Sequence, residues 1–269
     1  MAHEVVLITG GSSGIGKSIG VYLKSKGFKV YGTTRNKLKY PDFNEFNLLE
    51  VDVRNSETIS AAISKLIALE GRIDVLVNNA GVGITGPIEE TPQDEIAKAF
   101  DTNLYGPIRM IKAVLPQMRI QKNGLVINIT SIAGFMGLPY RGIYSATKGA
   151  LELVTESIRM EVQNFGVSIT NVAPGDFATN IASGRYHAPL LNDSPYEEPY
   201  GRTLEAINND VNSGGDPIDV AHLILKIIKT KKPKIHYKVG SFMQKFSLFL
   251  KKVLPDKVYE KLLLNHYKL

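Results

Sequence analysis

Seven short apolar runs, most of them rich in Val and Ile, punctuate the chain: Val5 to Ile8, Phe28 to Thr33, Leu48 to Val53, Ile73 to Val77, Leu125 to Ile129, Val167 to Val172 and Lys234 to Val239. Val5 to Ile8 is apolar throughout, Ile73 to Val77 and Leu125 to Ile129 nearly so, and all are too short for a helix. That is the pattern of a strand buried on both faces. Longer segments with helical spacing lie between them. One runs to Lys26, and another follows a cap at Asn55 or Ser56 and turns Ile59, Ile63, Leu66, Ile67 and Leu69 inward. A third, Gln93 to Met118, is interrupted at Asn103-Leu104-Tyr105-Gly106-Pro107, where a kink is expected. Tyr144 sits on a fourth, and Ile218 to Ile228 forms a fifth. Strands alternating with helices predict an α/β fold, a single doubly wound parallel sheet of about seven strands with helices on both faces. With no internal repeat and no linker, residues 1–240 are expected to form one domain. Residues 183–215, rich in Gly, Pro, Asn and Tyr with little periodicity, are expected to form a substrate lid.

Beyond residue 240 the pattern changes. Phe242, Met243, Phe246, Phe249, Leu250, Val253 and Leu254 fall on one helical face, with Lys245, Lys251 and Lys252 off its centre. Pro255 ends that helix, and Asp256 opens a second carrying Val258, Tyr259, Leu262 and Leu263. Residues 241–269 thus form a basic amphipathic extension. It either packs on the domain or a second subunit, or lies on a membrane surface.

Charge sharpens that contrast. The chain of 269 residues carries +6 in all, yet from Lys226 onward twelve Lys face only Asp256 and Glu260, a local +10 that leaves residues 1–225 at −4. No nucleic-acid recognition motif accompanies the charge, so no such partner is expected. Hydrophobic residues at 43% and charged residues at 22% describe a globular protein. No cysteine is present, which excludes disulfides and thiol nucleophiles. The five histidines show no metal-ligand spacing, and no metal is expected. The first strand leaves no room for a signal segment and no run of 18 apolar residues occurs, so the chain is expected in the cytoplasm, with peripheral membrane contact through 241–269 as the variant.

The first strand leads into Thr9-Gly10-Gly11-Ser12-Ser13-Gly14-Ile15-Gly16 and a helix, a turn in which backbone can approach a pyrophosphate at a helix N-terminus. At the end of the second strand, where a carboxylate would bind the ribose 2′-hydroxyl of NAD, stand Thr34 and Arg35. A guanidinium there favours the 2′-phosphate of NADP. Asp52 and Val53, ending the third strand, would meet the adenine. Asn78-Asn79-Ala80-Gly81 closes the fourth. Downstream, Ser131 follows a strand, and Tyr144 and Lys148 stand one helical turn apart. A cation at that spacing favours the phenolate, which would lower the Tyr144 pKa towards neutrality and make it a general acid/base. The spacing alone is unspecific, since Tyr22 and Lys26 repeat it in the first helix.

Taken in order, Thr9-Gly10-x-x-x-Gly14-x-Gly16, Asn78-Asn79-Ala80-Gly81, Asn103, Ser131, Tyr144-x-x-x-Lys148 and Pro174-Gly175 with Thr179 resemble the short-chain dehydrogenase/reductase family over nearly the whole chain. The resemblance implies a Rossmann-type sheet, a nicotinamide cofactor and hydride exchange at a carbonyl or alcohol carbon. It implies that Tyr144 donates the proton, Ser131 orients the substrate oxygen, Lys148 holds the nicotinamide ribose and lowers the Tyr pKa, and Asn103 keeps a water between Lys148 and solvent. Gly10, Ser12, Ser13, Gly14, Ile15, Gly16, Thr34, Arg35, Asp52, Val53, Asn79, Ala80, Gly81, Tyr144, Lys148, Pro174, Gly175 and Thr179 would bind the cofactor. Ser13 lacks the basic residue that some NADP-preferring members carry, so NADP(H) is favoured over NAD(H) on Arg35 alone. The expected function is reduction of a small apolar ketone or aldehyde, or the reverse oxidation, by a homodimer or homotetramer. Members with such tails resemble those acting on steroids, retinoids or ketolipids. A non-catalytic NADP-sensing protein on the same fold is the alternative.

Overall fold

The computed structural model describes residues 4–177, 184–212 and 214–269. Seven strands form one parallel sheet in the order β3-β2-β1-β4-β6-β7-β9: β1 (Val5–Ile8), β2 (Lys29–Thr34), β3 (Asn47–Glu50), β4 (Val75–Asn78), β6 (Gly124–Ile129), β7 (Val167–Pro174) and β9 (His236–Val239). Two further strands, β5 (Ile84–Thr85) and β8 (Tyr186–His187), pair separately above it. Alternate residues of one strand feed opposite cores. Val5 and Leu7 pack with the residues of α2 (Ser56–Glu70) and α4 (Gly106–Gln121), whereas Val6 and Ile8 pack with those of α1 (Gly14–Ser25) and α7 (Ile218–Ile228). Burial on both faces is why these strands read as continuous apolar runs. Strand order reverses between β1 and β4, the switch point at which such sheets open a crevice beyond their carboxyl ends.

The interrupted helix is α3 (Gln93–Phe100) joined to α4 through a π-helical turn, Asp101–Tyr105, as the Asn and Gly-Pro residues required. Three expectations need correction. The third strand ends at Glu50, and Val51 and Val53 are buried beyond it. Leu69 points to solvent, 61% exposed. The stretch 183–215, read as having little periodicity, contains within its described part β8 and a four-turn helix, α6 (Glu197–Asn212), whose inward stripe is Tyr200, Thr203 and Ile207. A stripe that includes a Tyr and a Thr in a polar segment gives little amphipathic signal.

The extension folds back on the domain as α8 (Phe242–Val253) and α9 (Asp256–Tyr267), with α5 (Gly142–Glu161) completing the helices. Ser241 and Gln244 form a reciprocal capping box at the start of α8. Leu248 and Tyr259 are buried against Ile132, Met136 and Ala173, and Leu250, Leu254 and Leu263 pack around them. Yet Phe242, Met243, Phe249 and Val253 remain more than half exposed, and Phe246 is 36% exposed. Leu248 lies about 200° around the helix from Phe246. The extension therefore has a face for the domain, and most of the expected apolar stripe looks outward. No described helix is long and apolar enough to cross a membrane.

Candidate active site

The site begins where β6 ends. Ser131 caps a short 3-10 turn, Ile132–Phe135, its Oγ accepting from the Ala133 N–H at 3.2 Å. That turn lies directly on α5. A Cβ added to Gly134 would come within 3.0 Å of the Gly149 nitrogen, and one added to Gly149 within 2.8 Å of the Gly134 oxygen. Close packing of glycine on glycine holds the Ser131 turn against α5, and Ser131 and Tyr144 line the same cavity. One turn further along α5, Lys148 Nζ is buried and donates to the Ile129 carbonyl at 2.9 Å. It lies 5.9 Å from the centroid of the Tyr144 ring.

Asn103, in the π turn and buried, fixes the opposite wall. Its Oδ1 accepts from the Val82 N–H at 2.8 Å, and its Nδ2 donates to the Val82 carbonyl at 2.9 Å and to Thr147 Oγ1 at 3.1 Å. Gly81 sits between Asn103 Oδ1 and Lys148 Nζ, where a Cβ would be 3.2 Å from the first and 3.5 Å from the second. Four residues scattered between positions 103 and 148 thus meet at one place.

Burial sets the protonation of this cluster. Desolvation lowers the Lys148 pKa to about 8, opposed by the Glu152 carboxylate one turn on. For Tyr144 the expectation of a lowered pKa is overturned. Its pKa is raised, desolvation being the largest cause; the Arg141 charge, the Ser131 hydrogen bond and the Arg185 charge oppose it, while Asp176 adds to it. The phenol of this structure keeps its proton at neutral pH.

An open cleft runs along the switch point from this cluster. It is lined by Gly10, Ser12, Ser13, Gly14, Ile15, Thr34, Arg35, Asp52, Val53, Asn79, Ala80 and Gly81. A second cavity shares Ile15, Asn79, Gly81 and Val82 with it and adds Ser131, Tyr144, Lys148, Pro174 and Gly175. Gly16 lines neither. Its role is local: a Cβ there would lie 2.3 Å from the Gly10 oxygen, and Gly10 itself has φ +63°, so the turn closes only on glycine. Asn79 ties that turn to β4 by donating to the Thr9 and Gly10 carbonyls at 2.9 and 3.1 Å. Thr179 lies outside the described residues. The Tyr22 and Lys26 pair is a surface contact, with the ammonium 5.0 Å from the ring.

Several lining residues escape the sequence reading. Asn36, Lys39 and Tyr40 extend the cleft beyond Arg35, and Arg54 chelates Asp52 with contacts of 2.7 to 3.2 Å. The basic run Arg35-Asn36-Lys37-Leu38-Lys39 was the available signal. Arg141, Asp176, Phe177 and Arg185 line the second cavity. Arg141 precedes Tyr144 by three residues at the start of its helix, a spacing that places the two on one face. Nothing local marks Arg185.

A family model described as short chain dehydrogenase matches residues 4–189. The chain belongs to that family. Among its relatives is 3-ketodihydrosphingosine reductase of Bacteroides thetaiotaomicron, 38% identical over 261 residues that cover 97% of this chain and 96% of that protein. Human 17-beta-hydroxysteroid dehydrogenase type 1 is 34% identical over 257 residues, 88% of this chain and 77% of that protein. A solved short-chain dehydrogenase from Streptomyces avermitilis superposes with a TM-score of 0.84 at 32% identity, covering 99% of this chain and 97% of that one. Other solved relatives hold NADP or NAD.

The Lys148 pKa has a consequence for stability. Unfolded, the side chain titrates at the usual 10.5; folded, at about 8. Between those values the unfolded chain holds a proton that the folded one lacks, so stability rises with pH across the interval, by roughly 3 kcal/mol for a shift of this size. Urea denaturation at intervals from about pH 7.5 to 9.5 should show a steeper rise for the wild type than for Lys148→Met. Parallel profiles would contradict the buried, easily discharged lysine.

Proposed function

We propose that this protein is an NADP(H)-dependent oxidoreductase that reduces the carbonyl of an apolar ketone or aldehyde, or oxidises the corresponding alcohol. The observation that carries this reading is the meeting of Ser131, Tyr144 and Lys148 around one cavity that opens into the glycine-lined cleft, with Asn103 buried behind its wall and bonded to Thr147 of the same helix. Relatives named as a ketone reductase and a hydroxysteroid dehydrogenase support it. The cleft fits a dinucleotide: its glycine turn admits no Cβ at Gly16, it lies at the topological switch point, and it has basic groups at its far end. When bound, a nicotinamide cofactor supplies or accepts the hydride. Tyr144, protonated at neutral pH, gives its phenolic proton to the developing alkoxide, and Ser131 donates a hydrogen bond to the same oxygen. Lys148 stands behind the phenol, where its positive charge stabilises the phenolate left after transfer. Asn103 holds Val82 and Thr147, and with them the wall between cleft and helix.

For the cofactor we propose NADP(H). Thr34 occupies the place of a ribose-binding carboxylate, and Arg35, with Lys39 beside it on the cleft, provides the charge that a 2′-phosphate needs. Equilibrium titration should show Arg35→Ala weakening NADP+ by about 1.5–3 kcal/mol, the scale of a hydrogen bond to a charged group, with NAD+ less affected. Equal wild-type affinity for the two cofactors would remove the claim. A panel of ketones and alcohols followed by nicotinamide absorbance tests turnover itself. Cofactor binding without turnover of any member would favour a sensor.

We further propose that the outward face of α8 rests on an anionic membrane surface. Phe242, Phe246 and Phe249 stack in sequence along it, with centroids 5.6 and 6.0 Å apart, and exposed Lys245, Lys251 and Lys252 flank them. The apolar ridge matches the acyl boundary and the lysines match its charge, each nearby Lys contributing about 1 kcal/mol. Flotation should show the protein bound to vesicles containing phosphatidylserine at low salt, released at high salt and lost in Phe242→Ser/Phe249→Ser. An intact protein that stays unbound at low salt, or that buries this face in a second copy, would sink the idea.

A further inference from the structure

The cavity beside Tyr144 is more polar than an apolar ketone requires. Two guanidinium groups line it, Arg141 from the start of α5 and Arg185 from the segment leading into β8. Arg141 lies 5.6 Å from the centroid of the Tyr144 ring, and its side chain is 12% exposed. Arg185, 9% exposed, packs its aliphatic stem on Gly83, where a Cβ would come within 2.8 Å of its Cγ. The cations are close enough for the charge of Arg141 to oppose that of Arg185. Two buried like charges facing one cavity cost stability unless something answers them.

Among the described residues little does. A guanidinium offers five N–H donors. Arg185 reaches Asn208 Oδ1 at 3.5 Å and makes no ion pair with any described carboxylate. Arg141 lies close enough to the Tyr267 phenol of the C-terminal helix for the two to act on each other electrostatically, and its carboxylate neighbour, Asp176, is 3.9 Å away, beyond hydrogen-bond range. That carboxylate is already taken, since Gln244 Nε2 donates to Asp176 Oδ2 at 2.8 Å. One engaged carboxylate thus stands against two guanidiniums that line the cavity. Structural arginines at this depth are ordinarily paired.

We propose that the cavity takes a ketone bearing an oxyanion, a carboxylate or a phosphate, which Arg141 and Arg185 hold while the carbonyl faces Tyr144 and Ser131. The apolar remainder lies along Val82, Ile84 and Phe177. This deepens the reading of Tyr144 as proton donor and rests on it. It also assigns Tyr267, and hence the extension, a part in shaping the substrate cavity through Arg141.

Four ketones of matched chain length test it with NADPH: 3-oxooctanoate, its methyl ester, 2-oxooctyl phosphate and 1-aminooctan-2-one. The expected result is kcat/KM for one of the anions about tenfold or more above that for the ester, the scale of a charge-assisted hydrogen bond, with carboxylate and phosphate told apart by which is preferred. In Arg185→Gln and in Arg141→Gln that ratio should fall towards one. Thermal unfolding of the wild type with NADP+ gives a readout without turnover, the anion raising Tm more than the ester does. A stabilising anion with no turnover of any ketone would count against the catalytic reading and not against the oxyanion site. Preference for the ester over both anions, preference for the aminoketone, which would put Asp176 in charge of recognition, or a ratio unmoved by both substitutions would overturn the proposal.

Discussion

The hydrogen bond from Lys148 Nζ to the Ile129 carbonyl, buried and 2.9 Å long, ties α5 to the end of β6 one residue pair before Ser131 begins the following turn. The rest of the site depends on that tie. Glycine-on-glycine packing at Gly134 and Gly149 brings the turn down onto the helix, Tyr144 then meets Ser131, and Asn103 reaches across to Thr147 on the same helix. The arrangement carries a cost. An ammonium and a phenol are both held where water solvates them poorly, which pulls the first towards neutrality and holds the second protonated. Groups with shifted protonation that line one cavity are what the proposed proton transfer needs.

Beneath the site the sheet carries its own polar ladder. Asn78, Asn128 and Asn171 occupy the same register on β4, β6 and β7, with Asn78 Nδ2 donating to Asn128 Oδ1 at 2.9 Å and Asn171 Nδ2 to Glu152 Oε2 at 2.7 Å. Thr130 donates to the other oxygen of Glu152, and His236 closes the chain at 2.7 Å. These buried contacts tie strand register to helix rotation, although Asn78 Oδ1 and Asn171 Oδ1 have no hydrogen-bond partner among the described residues. The same Glu152 raises the pKa of Lys148, so the ladder and the site are electrostatically connected.

Most of the sheet was legible in the sequence because strands buried on both faces cannot hide: consecutive Val and Ile residues have no other economical placement. The third strand was drawn too long for a related reason. Val51 and Val53 are as buried as ladder residues but lie beyond the pairing, and burial is what the pattern reports. The helix α6 was missed because Tyr200 and Thr203, its buried positions beside Ile207, look polar in sequence. On α8 the expected apolar stripe is divided: Leu250 and Leu254 pack towards the domain around Leu248, which the stripe did not include, while its large aromatic side chains look outward. The residues of the site fared differently. Asn103, Ser131, Tyr144 and Lys148 were legible by order and spacing, but the tyrosine's pKa was read from one neighbour's charge when burial decides it. Arg185 could not be found at all, because it meets the cavity through folding of a segment whose local pattern says nothing of Gly83 across the way.

The account stands on Tyr144 acting through its hydroxyl. Steady-state reduction of a turned-over ketone by NADPH, compared between the wild type and Tyr144→Phe, addresses that directly, with NADP+ affinity measured in parallel by equilibrium titration. The account predicts a fall in kcat of about 10²–10⁴-fold, the contribution of a positioned general acid, with NADP+ affinity changed less than about threefold. A phenylalanine variant that kept most of its kcat would contradict it.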